Sequence, residues 1–245
     1  MTEAASGPPA SQRSLESREE WARFLSGLVH ELKTPLASIG MIAELLAKDD
    51  GLGPKGKRYS GNLRELTLDL QGLVHDAGTL ARLLEATRPV HDEPASVAEV
   101  VARAAEAARS HGWDRGVSLA TTVAPGVPAV VATDVDLVHI ALAGLLETAI
   151  ALADKEVTLR VTVAGEQLVF AVEPDKGCGP EGGADALFEP FASGTSRRLR
   201  QMGVRTLGPL VSRESARRLG GDVRMVPGER RTSCLLRIPL VVPAG

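Results

Sequence analysis

The sequence has 245 residues, of which 44% are hydrophobic and 24% are charged, with a formal net charge of -3 and a pI near 6.0. This length and apolar content suffice for one large or two modest domains with their own cores, and we predict two. The near-zero net charge gives no basis for nucleic acid or an anionic membrane as a partner. The chain has no long apolar run and no apolar signal segment, so we expect a cytoplasmic protein without membrane insertion. Cys178 and Cys234 are too few for a disulfide framework and lack the spacing of metal ligands.

Two amphipathic helices are predicted after a short tail. Residues 1–17 are rich in Ser, Pro, Ala and Gly without periodicity, which predicts a disordered tail. A first helix over about 17–48 and a second ending near residue 87 are separated by the turn formers of 49–56. Both carry apolar residues at alternating steps of three and four, here called the seam: Leu25, Leu28, Leu32, Ile39, Ile42 and Leu46, then Leu63, Leu66, Leu70, Leu73, Ala77, Leu80 and Leu84.

The two seams predict a homodimer. A helical hairpin is only half of a core, and a second copy related by symmetry would complete a four-helix bundle. We therefore predict an antiparallel helical hairpin over residues 18–88 that forms a dimeric four-helix bundle.

His30 is the candidate reactive residue of the first helix. If Leu25 is position a of the heptad, His30 is at position f and Thr34 at position c, both on the solvent-exposed face of the helix. Glu31 is at position g. An exposed histidine is usually an ordinary solvated residue. Pro35, however, destabilises a helix interior by about 3 kcal/mol, and a helix with only a structural role has little reason to contain such a residue. A neutral imidazole is a good nucleophile toward phosphorus, and an adjacent carboxylate can orient the ring or take its proton.

The segment HELKTPL, residues 30–36, resembles the H box of two-component sensor histidine kinases. The resemblance implies that His30 is the phosphoacceptor and Glu31 its acid/base partner. It also implies that Glu31 and Thr34 position water for dephosphorylating a response regulator, whose receiver domain would be the partner. Family members usually carry a sensory domain before this helix, so an upstream sensor protein is expected to supply the input.

A second domain is predicted over residues 96–245, after a linker at 89–95. Ser96 and Glu99 form a capping box before an Ala-rich helix, and Asp134 can cap another helix that runs to about residue 153. Alternating segments at 117–123, 157–164 and 167–173 predict strands, followed by a helix near 207–219 and two final strands. Helices interleaved with a mixed sheet predict a two-layer α/β sandwich.

The order of these elements resembles the ATP-binding domain that histidine kinases share with gyrase and MutL-type ATPases. DKGCG, residues 175–179, resembles the DxGxG box, in which Asp175 would recognise adenine while Gly177 and Gly179 admit the nucleotide. LFEPF at 187–191 and SRESARRLGGDV at 212–223 match further segments of that domain. ATP and Mg²⁺ are the cofactors that this resemblance implies.

Two nucleotide motifs depart from the family pattern. The N box, normally NLLxNA, reads GLLETA at 144–149, so Thr148 replaces the asparagine that binds Mg²⁺. The glycine-rich lid end keeps only Gly208, and Pro209 removes an amide donor. We therefore predict weak ATP binding with little Mg²⁺ dependence and slow or absent autophosphorylation. A Gly144→Asn, Thr148→Asn double substitution is expected to restore metal-dependent affinity.

Three functions fit the sequence. The first is a histidine kinase that phosphorylates His30 from ATP and passes the phosphoryl group to an aspartate of a response regulator. The second is a histidine phosphotransferase or phosphatase with a vestigial ATP domain, which the altered N box favours. The third is a noncatalytic scaffold that binds a receiver domain, against which the intact HELKTP argues.

Overall fold

The computed structural model describes residues 10–49, 51–85, 89–112, 116–176, 188, 207–227 and 232–243. The chain divides into two compact units, unit 1 (residues 1–88) and unit 2 (residues 89–245), and each is described by itself.

Unit 1 is an antiparallel hairpin of two long helices, α1 (Ala10–Ala47) and α2 (Pro54–Leu84). Because α1 begins at Ala10, the predicted disordered tail of residues 1–17 is too long. Residues 10–17 contain no glycine or proline that would stop a helix. Residues 1–9 lie outside the described part of the chain. Pro54 is the first residue of α2, a position where its missing N–H costs nothing.

The contact between α1 and α2 uses residues adjacent to the predicted seam. On each helix it is made by buried residues that recur every seven positions, position e of the heptad: Ala22, Val29, Leu36 and Ala43 on α1, and Ser60, Thr67, Val74 and Ala81 on α2. Most of these side chains are small, so the backbones approach closely, and the Ser60 hydroxyl donates to the Ala43 carbonyl at 3.3 Å. Much of the seam is left open in a single chain, since Leu28 is 43% exposed and Leu66 61%.

Unit 2 begins with a strand where a linker was predicted. Strand β1 (Glu93–Ser96) pairs antiparallel with β3 (Val130–Thr133), so the predicted linker of residues 89–95 ends three residues too late. Just before β1, the His91 N–H donates to Asp134 Oδ2 at 3.1 Å. The segment EPAS has no alternating pattern of its own, and pairing with a distant strand decides its conformation.

The rest of unit 2 is a five-stranded mixed sheet covered by helices, which confirms the predicted two-layer α/β sandwich. The helices are α3 (Val97–Gly112), α4 (Val135–Leu152) and α5 (Gly208–Arg218). The strands of the sheet are β2 (Ser118–Val123), β4 (Glu156–Ala164), β5 (Gln167–Pro174), β6 (Asp222–Pro227) and β7 (Thr232–Pro239). They are ordered β2-β4-β5-β7-β6, with β2 parallel to β4 and the remaining pairs antiparallel.

Helix α4 is the centre of the core of unit 2. As predicted, Asp134 caps it, with Oδ1 accepting the Leu137 N–H at 3.0 Å. Its residues Leu142, Leu145 and Leu146 are completely buried. Over the described part of the chain, this is the one helix whose length and apolar composition would allow it to cross a membrane. Here its apolar residues belong to the core between the helices and the sheet.

Candidate functional site

His30 lies on the open side of α1. Its side chain is 88% exposed, whereas Val29 and Leu36 are each 7% exposed and cluster with Val74 of α2. The backbone on both sides of His30 is therefore held against α2 while the imidazole stands in water. A ring presented in this way can be reached by a large partner without any rearrangement of the helix.

Glu31 lies beside the Nδ1 side of the His30 ring. Its Oε1 is 3.7 Å from His30 Nδ1, and its side chain is 85% exposed. An exposed ion pair of this kind contributes little to the stability of the fold, so stability does not explain why Glu31 lies beside His30. A carboxylate on this side of the ring, once within hydrogen-bond distance of Nδ1, favours the tautomer with its proton on Nδ1. This arrangement leaves the lone pair of Nε2 free to act as a nucleophile.

Thr34 and Pro35 lie one turn further along α1, and both are exposed. The helix continues through Pro35 to Ala47, although Pro35 has no N–H to give to the carbonyl of Glu31. The Ser38 hydroxyl donates to the Thr34 carbonyl at 3.2 Å, which adds a side-chain hydrogen bond one turn after the proline. Three of the predicted site positions, His30, Glu31 and Thr34, thus share one continuous, solvent-exposed stretch of helix.

Helix α2 supports this stretch through residues that the sequence analysis missed. The Gln71 amide donates to the Leu36 carbonyl at 3.5 Å, and a Cβ placed at Gly78 would lie 3.3 Å from Val29 Cγ1. The repeat of buried residues every seven positions was the signal that could have located this contact. This repeat is not visible in the apolar pattern of the sequence, because several of its positions are alanine, serine or threonine.

In unit 2, Asp175 follows β5 and binds the turn between α4 and β4. Its Oδ1 accepts the Asp154 N–H and its Oδ2 accepts the Lys155 N–H, each at 2.8 Å. Partial desolvation acts to raise the pKa of Asp175, but backbone donors outweigh it and hold that pKa below its ordinary value. These donors are the N–H groups of Asp154, Lys155, Glu156 and Lys176. The predicted adenine-binding carboxylate therefore also holds a backbone turn together.

Gly144 of α4 faces α5, and the buried Thr148 is bonded within its own helix. A Cβ placed at Gly144 would lie 2.3 Å from Ser212 Oγ and 2.9 Å from the Gly208 carbonyl oxygen. Thr148 is 3% exposed, and its hydroxyl donates to the Gly144 carbonyl at 2.7 Å. An asparagine at 144 would collide with α5 as it stands, so the predicted rescue by Gly144→Asn would require α5 to move.

The first turn of α5 is buried against this face of α4. Leu207, Gly208 and Pro209 are all buried, and the Ser212 hydroxyl donates back to the Gly208 carbonyl at 3.0 Å. Phe188, from the LFEPF segment, is 1% exposed and lies in the same core, with the Arg213 guanidinium 5.9 Å from its ring centre. Gly177 and Gly179 lie outside the described residues. Among the residues that are described, no group of three or more His, Cys, Asp or Glu side chains could hold a metal ion.

Comparison with known proteins shows what the chain resembles. Residues 20–86 match the His Kinase A (phospho-acceptor) domain, the region that contains His30. The chain is therefore similar to histidine kinases in its phospho-acceptor region. It is 28% identical to the sensor protein TorS of Escherichia coli over 227 residues, 89% of this chain and 24% of TorS. It is also 28% identical to the probable sensor histidine kinase TcrY of Mycobacterium tuberculosis over 222 residues, 89% of this chain and 46% of TcrY.

Solved histidine kinases share the fold of this chain. Full-length ShkA in complex with AMPPNP superposes with a TM-score of 0.70 at 22% identity, covering 91% of this chain and 47% of ShkA. The histidine kinase ThkA in complex with the response regulator TrrA gives a TM-score of 0.63 at 15% identity, covering 96% of this chain and 68% of ThkA. The chain spans about a quarter to a half of the length of the curated relatives named here.

The predicted site residues of this chain lie in both units. His30, Glu31 and Thr34 lie together on α1, while Thr148 lies on α4 and Gly208 at the start of α5. Asp175 is described at the end of β5. The chemical role of each of these residues stays a prediction.

Proposed function

We propose that this chain is a phosphorelay protein of the two-component type, in which His30 carries a phosphoryl group exchanged with an aspartate of a response regulator receiver domain. The observation that supports this most directly is an 88% exposed imidazole on a helix anchored to its neighbour by Val29 and Leu36. ThkA, which shares the fold, was solved with a response regulator bound, which supports the same class of partner here.

In the proposed reaction, Nε2 of His30 is the nucleophile and Glu31 handles the proton. When Nε2 bonds to phosphorus, the ring acquires a positive charge, which is relieved when the Nδ1 proton passes to the nearby Glu31 carboxylate. Transfer onward to an aspartate reverses these steps. In hydrolysis of the regulator's aspartyl phosphate, Glu31 and the exposed hydroxyl of Thr34 would position the attacking water.

A homodimer completes the proposed site. The seam is open in a single chain: Ile39 is 41% exposed, Ile42 51% and Leu70 48%. A continuous apolar face of this size on two neighbouring helices favours burial against an identical surface. In the resulting four-helix bundle, position f stays outside, so His30 would remain open to the receiver.

The source of the phosphoryl group depends on unit 2. ShkA binds the ATP analogue AMPPNP, so ATP with Mg²⁺ is the first donor to consider for a chain with this fold. An upstream sensor protein and a cytoplasmic site of action remain predictions.

The proposal is tested by transfer between this protein and a receiver domain. The full chain is mixed with purified receiver domains carrying labelled aspartyl phosphate, and label on the chain and loss of label from the receiver are followed. We expect label on the parent and on His75→Gln, a control at an exposed histidine of α2, and none on His30→Gln. Equal labelling of His30→Gln and the parent would refute the assignment. Receiver binding without transfer would favour the noncatalytic scaffold.

A further inference from the structure

The contact between α4 and the first turn of α5 occupies the place where the family pattern puts its metal ligands. At Gly144 the backbones come so close that a single methyl group would meet both Ser212 Oγ, at 2.3 Å, and the Gly208 carbonyl, at 2.9 Å. No side chain can extend from position 144 without moving α5 away. The first asparagine of the N box therefore has neither a counterpart nor space for one.

Thr148, one turn further along α4, cannot replace the second asparagine. It is 3% exposed, and its hydroxyl proton is given to the Gly144 carbonyl within the same helix. Mg²⁺ prefers octahedral oxygen ligands and keeps several waters, so it needs an accessible oxygen. A buried, neutral hydroxyl that is bonded to its own helix does not offer one.

The start of α5 is equally closed to phosphate. Helix N-termini bind phosphate through open N–H groups, but Leu207, Gly208 and Pro209 are buried, and Pro209 has no N–H. The carboxylate of Asp175 is different, because it follows β5, outside the α4–α5 contact, and is only half-buried. The residues of α4 and α5 therefore do not fit Mg²⁺ or the triphosphate, whereas the predicted adenine-binding carboxylate is not affected.

We infer that the α4–α5 contact has replaced the magnesium–triphosphate site, and that His30 receives its phosphoryl group from an aspartyl phosphate of a receiver domain instead of from ATP. This inference rests on the proposed function of His30. In the step, Nε2 forms a bond to phosphorus while the bond from phosphorus to the aspartyl oxygen breaks. The carboxylate leaves with the electron pair, and the Nδ1 proton moves to Glu31. No further reactant is required.

The first measurement is nucleotide binding by the full chain. Calorimetry with ATP is carried out with Mg²⁺ and with a chelator in its place. We expect the two affinities to agree within about twofold, because no ligand on α4 couples the metal to the phosphates. A tightening of about tenfold or more by Mg²⁺ would overturn the inference.

The second measurement compares the two donors directly. The parent chain is incubated with labelled ATP and Mg²⁺, or with a panel of receiver domains carrying labelled aspartyl phosphate, with His30→Gln as the blank in each arm. We expect His30 to be labelled by a phosphorylated receiver and not by ATP. Labelling by ATP would overturn this inference and leave the proposed function standing. Labelling by neither donor would overturn both.

Discussion

Among single residues, Thr34 distinguishes the two proposed reactions at this site, phosphoryl transfer to His30 and hydrolysis of the receiver's aspartyl phosphate. Its side chain is exposed one turn from His30, and only hydrolysis requires a hydroxyl to position water. We predict that Thr34→Ala accepts a phosphoryl group as the parent does, but dephosphorylates a phosphorylated receiver at least about tenfold more slowly. Thr34→Ser, which keeps the hydroxyl, should behave like the parent. Equal hydrolysis rates for Thr34→Ala and the parent would remove Thr34 from the mechanism.

Asp175 gives a prediction about pH. Its folded pKa lies below the ordinary value, so its ionised form stabilises unit 2 above the unfolded pKa. That contribution is lost as the pH falls through the folded pKa. We predict that Asp175→Asn lowers the thermal unfolding midpoint of unit 2 at pH 7, because an amide nitrogen would face the Lys155 N–H. The difference between variant and parent should shrink in acid. A difference independent of pH would mean that ionisation is irrelevant at this residue.

At the scale of elements, the approach of α4 to α5 depends on Gly144. We predict that Gly144→Ala lowers the free energy of unfolding of unit 2 by about 1–3 kcal/mol, the usual cost of overpacking, despite the better helix propensity of alanine. Gly126→Ala is the matched control, because nothing lies within 4 Å of a Cβ there. Denaturant unfolding followed by circular dichroism measures both variants.

A second substitution identifies the atoms responsible. Ser212→Ala removes the hydroxyl that a Cβ at 144 would meet first, but the Gly208 carbonyl remains. The Gly144→Ala, Ser212→Ala double variant should therefore recover part of the lost stability, seen as coupling in a double-mutant cycle. If Gly144→Ala is as stable as the parent, α5 can move away freely, and the α4–α5 contact does not prevent metal binding.

Much of the element order could be predicted from the sequence because the patterns were strong. The three-four spacing predicted both long helices, and Asp134 marked the start of α4. The sequence could not predict β1, since its conformation depends on pairing with β3, far along the chain. It also could not show that Gly144 touches α5. From the sequence, Gly144 shows only that the asparagine of the motif is absent. The structure adds that the backbone of α5 leaves no room for a side chain at this position.

At the scale of the whole molecule, the open seam makes a prediction about assembly. Leu66 lies on the seam of α2 and is 61% exposed in one chain, whereas Leu68, at position f and 53% exposed, lies off it. We predict that Leu66→Glu dissociates the dimer while Leu68→Glu leaves it intact. Losing a buried leucine costs about 1.5–3 kcal/mol, and a symmetric dimer loses it twice, so dissociation should strengthen by at least about a hundredfold.

Sedimentation analysis measures that change, with circular dichroism as the check that the helices remain. The hairpin contact uses position e, so Leu66→Glu should not unfold a single chain. If both variants dissociate, or neither does, the seam is not the dimer interface.

We propose that the imidazole of His30 is the phosphoryl carrier of this protein. The most direct measurement is ³¹P NMR of the full chain after reaction with a phosphorylated receiver domain, together with the same spectrum of His30→Gln. We expect a single phosphoramidate resonance in the parent, assigned to Nε2 because Glu31 lies 3.7 Å from Nδ1, and no such resonance in His30→Gln. A phosphoramidate that persists in His30→Gln, or a parent spectrum without one, would contradict it.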